Sequence, residues 1–200
     1  GPASWINPAN PDSVSCAGIP QDRLERVTGL TVTSIDRFDE TGDGSIGNYY
    51  VQDTIDPALP YSGITVFEPG FSPPDLRVVA GDVMDIFGML TEFPGPSGSL
   101  FDFCRTLPEI SGSMEYRFEG STITPLPIPI ADLADYQAAR KWRGVLVTLD
   151  QVTLLETPYK SSSGRYTIRL DTGVSIANSN DIPSISNELM DLEEMLPPET

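Results

Sequence analysis

The sequence predicts an all-β protein made of two related units. Nineteen Pro and 17 Gly among 200 residues break the chain into short segments rather than long helices. Those segments are rich in β-branched and aromatic residues and are bounded by Gly, Pro or Asp. A pattern also recurs in the same order. Gly29-Leu30-Thr31-Val32-Thr33 returns as Gly144-Val145-Leu146-Val147-Thr148, an offset of 115, and Gly47-Asn48-Tyr49-Tyr50-Val51 returns as Gly164-Arg165-Tyr166-Thr167-Ile168, an offset of 117. Two copies of one β-unit is the economical explanation.

Residues 1–25 read as an extended leader or linker. Gly1-Pro2-Ala3-Ser4 has neither the charged nor the apolar region of a signal peptide and looks like a tag remnant, and residues 5–22 are rich in Pro, Asn and Ser without a period. The first unit, 26–124, offers strands at 27–35 (VTGLTVTSI), 48–54 (NYYVQDT), 63–67 (GITVF), 81–93 (GDVMDIFGMLTEF) and 100–104 (LFDFC). In the fourth, Asp85 marks a partly solvated face and Gly88 a bulge or bend. The second unit, 125–200, opens on Pro125-Leu126-Pro127-Ile128-Pro129 and a short helix over 131–144, where Asp132 and Asp135 precede Arg140 and Lys141 and Gly144 follows. It continues with 148–156 (TLDQVTLLE), a Ser-rich turn at 161–163, 165–172 (RYTIRLDT) and 174–177 (VSIA). No equivalent of GDVMDIFGML follows, so this unit is expected to be incomplete or finished by other segments. Ser186 would cap a short acidic helix over 186–195.

Composition narrows the chemistry. The chain has no histidine, 29 Asp+Glu against 12 Lys+Arg, and a formal charge of −17. Histidine-based zinc, Ser-His-Asp and Cys-His catalysis has no imidazole to use. Nucleic-acid binding, which needs a dense basic face, is disfavoured. No apolar run approaches the ~20 residues of a membrane-spanning helix.

Several residues are candidates for a site. Asp39, Thr41, Asp43, Gly44 and Ile46 match positions 1, 3, 5, 6 and 8 of a calcium loop, with Asp36 or Glu40 replacing the bidentate glutamate whose place Tyr50 takes. The same residues suit a solvated Asp/Gly turn between strands. Cys16 and Cys104 are either a disulfide or two buried thiols. A bridge closing the 88-residue span (104 − 16) would be worth roughly 4 kcal/mol in the chain-entropy model. Asp53, Asp56, Asp82 and Asp85 could be imagined as catalytic carboxylates, but among 29 acids such pairs arise by chance, and no enzyme is expected. Tyr49, Tyr50, Phe67, Phe87, Phe93, Phe101 and Phe103 are expected mostly as core, and Trp142, between Lys141 and Arg143, as a helix end packed on the first unit.

The series RVTGLTVTSI, Tyr50-Val51-Gln52-Asp53, Gly63-Ile64-Thr65-Val66-Phe67, and Gly81-Asp82-Val83 with Gly88 and Glu92-Phe93-Pro94-Gly95 resembles the OB-fold-like modules of secreted bacterial nucleases and surface lipoproteins. KWRGVLVTLDQVTLLE looks like the second module that follows in such proteins. The likeness spans roughly 26–178. It implies two small OB-like barrels, the second incomplete, joined by the Pro-rich linker and helix. It further implies a non-enzymatic binding or assembly module of a secreted or cell-surface bacterial protein, lipoprotein-like, with a lipid anchor upstream and a protein or polysaccharide partner. Two alternatives are an accessory substrate-binding region of an extracellular nuclease and a calcium-stabilised spacer.

Overall fold

A computed structural model describes residues 23–38, 47–55, 57–93, 107–120, 122–162, 164–177 and 179–192. The protein is mostly β, with only short helical turns. Strands β1 (Arg23–Ile35), β2 (Tyr49–Asp53), β3 (Gly63–Ser72), β4 (Asp82–Phe93) and β5 (Leu107–Glu119) make the first unit. Pairing runs β1-β2-β3-β5-β4 and returns from β4 to β1, so the sheet closes on itself. All contacts in the ring are antiparallel except the parallel β3–β5 pair.

Strand periodicity places the core. Along β4 the buried residues Met84, Ile86, Gly88, Leu90 and Glu92 alternate with more open ones, as period-2 geometry requires. Met84, Ile86 and Leu90 face Leu30, Val32, Val51, Ile64, Val66, Ile110 and Met114 inside the ring. This core is aliphatic, which corrects the expectation that the aromatics fill it. Phe67 and Phe87 are exposed and Tyr49 only flanks the core, stacked edge-on against Phe71 at 5.4 Å. A five-stranded ring is too narrow for several rings, so branched side chains and Met fill it. Phe101 and Phe103, like the expected strand at 100–104, lie outside the described residues.

Gly88 is also corrected. The register of β4 on β5 shifts at Val83/Met84, not at Gly88, which pairs directly with Gly112. A Cβ at Gly88 would stand 2.3 Å from the Ser111 carbonyl oxygen, so the glycine permits close strand approach rather than a bulge. Strand β1 is irregular at two places, between Val32 and Ser34 against β2 and between Val27 and Leu30 against β4. At the second, Gly29 turns through φ +73° and donates its N–H to Asp85 Oδ1 at 2.9 Å. Strand β5 went unforeseen because Pro108 and Ser111-Gly112-Ser113 dilute its apolar alternation.

The second unit begins with β6 (Leu126–Pro127), helical turns over Ile130–Leu133, α1 (Tyr136–Ala139) and Arg140–Trp142, and β7 (Val147–Thr148), which pairs parallel to β6. The expected helical segment is present, broken into three short pieces. Strands β8 (Thr153–Leu154) and β9 (Tyr159–Lys160) share one side of β10 (Tyr166–Asp171), and β11 (Ser184–Ser186) takes the other. The described strands form an open sheet here, not a ring. In both repeat pairs the leading glycine takes a positive φ, Gly29 and Gly144 at +73° and +67°, Gly47 and Gly164 at +118° and +86°, but β7 pairs with β6 and not with β10, so the β1–β2 pairing of the first copy is not repeated among the described residues.

Two expectations fail in this unit. Residues 174–177 are irregular instead of a strand: just before them Gly173 takes φ +75° and donates its N–H to Asp171 Oδ1, while Thr172 bonds the Val174 carbonyl. Ser186 ends a strand instead of capping a helix, and no helix occurs among the described residues 184–192. Asn187 Oδ1 accepts the Tyr166 N–H at 2.9 Å, a bond that holds the chain against β10.

Candidate functional site: the seam between the units

The outward side chains of β2 alternate with the core residue Val51, and both are claimed by the second unit. Tyr50 donates its hydroxyl to Glu188 Oε1 at 2.9 Å, and Gln52 Oε1 accepts the Leu146 N–H at 2.9 Å. Beside Gln52 on β3 sits Gly63. A Cβ there would lie 2.1 Å from the Gly144 carbonyl carbon, so only hydrogen fits and two backbones meet face to face. Gly144 is equally constrained, being left-handed and 2.5 Å, at its own ideal Cβ, from the Ile64 nitrogen. Tyr61 adds a bond from its N–H to the Lys141 carbonyl at 2.6 Å. Burial, then the charge of and hydrogen bond to Glu188, then Asp36, hold the Tyr50 phenol well above its ordinary range, with Arg165 opposing. It therefore stays a neutral donor.

At one end of the seam, Glu92 continues the inward face of β4 and meets Arg140, delivered by the helical turns after the proline connector. Both side chains are sealed from solvent, at 1% and 2% exposure. Arg143 is half-buried, and desolvation lowers its pKa to about 10, partly offset by the Glu92 charge. On β5, Glu109 is raised by burial and by the Glu92 charge, against the bond from Thr91. Asp132 fastens the helical segment to itself, accepting from Lys141 Nζ at 2.9 Å and Trp142 Nε1 at 3.0 Å. Those two bonds hold its carboxyl below the usual range. Trp142 is thereby part of the docked segment, with the Lys141 ammonium 5.0 Å from its ring.

Of the calcium candidates, Asp36 is buried and its backbone closes the neck of the loop, N–H to the Asn48 carbonyl at 2.8 Å and carbonyl from the Gly47 N–H at 3.2 Å. Asp39, Thr41 and Asp43 lie outside the described residues, as do Cys16, Cys104 and Asp56. Among the described residues no three His, Cys, Asp or Glu gather as metal ligands. Asp82 and Asp85 have separate structural tasks. Asp82 Oδ2 accepts the Val79 N–H at 2.9 Å, while Asp85 holds the Gly29 bulge between Arg26 and Arg117, at 3.7 and 3.4 Å.

Two cavities, of about 310 and 230 Å³, share Gly120, Thr122 and Ile123 in their walls. Asp82 and Glu119 line the larger and Asp53 the smaller, with no Lys or Arg in either. Sequence reasoning missed Gln52, Arg140 and Glu92 as seam residues. For Glu92 a signal existed: it falls in phase with Met84, Ile86 and Leu90, on the buried side of the strand. Comparison with family models, curated proteins and solved structures returned no match for the chain.

Proposed function

We propose that the chain is a non-catalytic binding or assembly module of a secreted or cell-surface bacterial protein, with an OB-type barrel as its first unit. The ring order β1-β2-β3-β5-β4 with its parallel β3–β5 closure supports the barrel assignment. One observation carries the functional reading. OB-type barrels receive oligonucleotides and oligosaccharides on the face of strands 2 and 3, and here Gly144, Leu146 and Glu188 of the second unit already cover that face at Gly63, Gln52 and Tyr50. A barrel whose ligand face is filled by its own chain works as one body with its neighbour and meets partners elsewhere.

The acidic field and the cavities without Lys or Arg favour a protein or polysaccharide partner over nucleic acid. Thermal-shift measurements with polysaccharides, oligonucleotides and Ca²⁺ side by side test this. Stabilisation by polysaccharide supports it. Stabilisation by single-stranded DNA with steep salt dependence would replace it by the nuclease-accessory function. A rise with calcium lost in Asp43→Ala would replace it by the calcium-stabilised spacer.

A further inference from the structure

The second unit is a half-covered sheet, and the first unit shows what would cover it. Residues paired across antiparallel strands share a face, so Leu154 lies on the face of Leu170, and Ile185 on that of Ile168. The opposite face carries Thr153, Tyr159, Thr167, Arg169, Asp171 and Ser184 and is mostly polar, while Lys160, paired with Tyr166, stands at the end of the apolar face. Leu192, Ile130 and Leu149 pack over the middle of the apolar face, burying Ile168 and Leu170. Its flanks stay open: Leu154 is 46% and Ile185 40% exposed.

The internal repeat supplies the comparison. Ile168 stands where Val51 stands in the first copy. Val51 is flanked by Val32 and Ile64, each 1% exposed, and Ile168 by the wide-open Ile185. The difference is the antiparallel β4–β5 pair, which joins the far edges of β1 and β3 and seals the first core. Among the described residues, neither β8 and β9 nor β11 has a strand on its outer edge.

We propose that this open sheet is a docking site for a β-hairpin of a partner protein, added by edge pairing and by alternate apolar side chains laid over Leu154 and Ile185. Charge selects the occupant. Residues 145–192 carry six carboxylates against three cations, and the whole chain −17, so a second copy is repelled while a hairpin with Lys or Arg at its edges is attracted. The inference rests on the assembly reading and names its surface.

The probe is a synthetic peptide of residues 81–93, the segment that contains β4, the strand that seals the first ring, carrying a trilysine tail. It is titrated into the full chain with chemical shifts as readout. Saturable binding weakened about tenfold or more by Ile185→Lys, and unchanged by Phe87→Ser on the outside of the first unit, supports the hairpin site. No binding at ~1 mM peptide overturns it. A dimer in sedimentation equilibrium that Ile185→Lys dissociates also overturns it, because the occupant is then a second copy. A melting temperature lowered several degrees by Leu154→Lys with Ile185→Lys overturns it too, because the chain itself then covers the face. A response to DNA or calcium in the thermal panel counts against the assembly reading alone, so the two failures are separable.

Discussion

Arg140→Met is the sharpest perturbation of the seam. It removes one partner from an ion pair sealed from water on both sides and leaves the Glu92 carboxylate buried with its main countercharge gone. Breaking such a pair costs about 3–5 kcal/mol, where replacing both partners by apolar side chains is often neutral. The Arg143 charge still reaches Glu92, and Met refills part of the volume, which puts the expected loss near 3 kcal/mol. For about 200 residues this is roughly 6–12 °C in melting temperature. Urea unfolding at pH 7 measures it. The sign with pH follows from the same burial. In the variant the folded-state pKa of Glu92 lies above its unfolded value, so ionisation penalises the folded form at pH 7 and the deficit shrinks as pH falls through that raised value toward ~4. Arg140→Met with Glu92→Met should recover most of the loss. A single-variant loss under about 1 kcal/mol, or a double variant less stable than either single, would refute the reasoning.

The remaining predictions concern neighbouring contacts. Glu109, raised by burial, gives stability that is full below its unfolded pKa and lost as pH rises through the folded one. Glu109→Gln should therefore raise the melting temperature at pH 7 and leave it unchanged near pH 3, checked by calorimetry at both. Gly63→Ala forces a Cβ onto the Gly144 carbonyl carbon and should cost about 1–3 kcal/mol, with faster hydrogen exchange at the Leu146 amide than in the core of the first unit. Tyr50→Phe removes the bond to Glu188 and should cost about 1–2 kcal/mol in urea unfolding, while the Val51 and Ile64 methyl resonances stay in place.

The strand pattern of the first unit was legible because period-2 alternation and turn residues act locally: four of the five expected strands there match β1 to β4. Strand β5 was not, since its pairing is set by close contact of Gly112 with Gly88, a long-range fact with no local mark. The repeat was legible at its leading glycines, which share a positive φ, but not in its pairing, since β7 joins β6 where β1 joins β2. Ser186 misled because an isolated Ser-Asn-Glu run reads as a helix cap, whereas Asn187 spends its side chain on β10. The seam was nearly invisible. Arg140 and Gln52 look like ordinary surface residues until the two units are packed together, and only the phase of Glu92 along β4 betrays a buried charge.

The order of pairing around the ring also sets how the chain can fold. Arg23 meets Leu90 and Thr65 meets Glu109, separations of 67 (90 − 23) and 44 (109 − 65) residues, so no local hairpin closes the first unit. Loop entropy must be overcome before these pairings return anything, which places this unit among slow, high-contact-order folders. During synthesis the chain must be made to the end of β5 before the ring can close, and to Gly144 before the β2–β3 face is covered. Until β5 is made the unclosed sheet has open edges that can template stray strands, so the stretch of synthesis before residue 119 is the window of greatest aggregation risk.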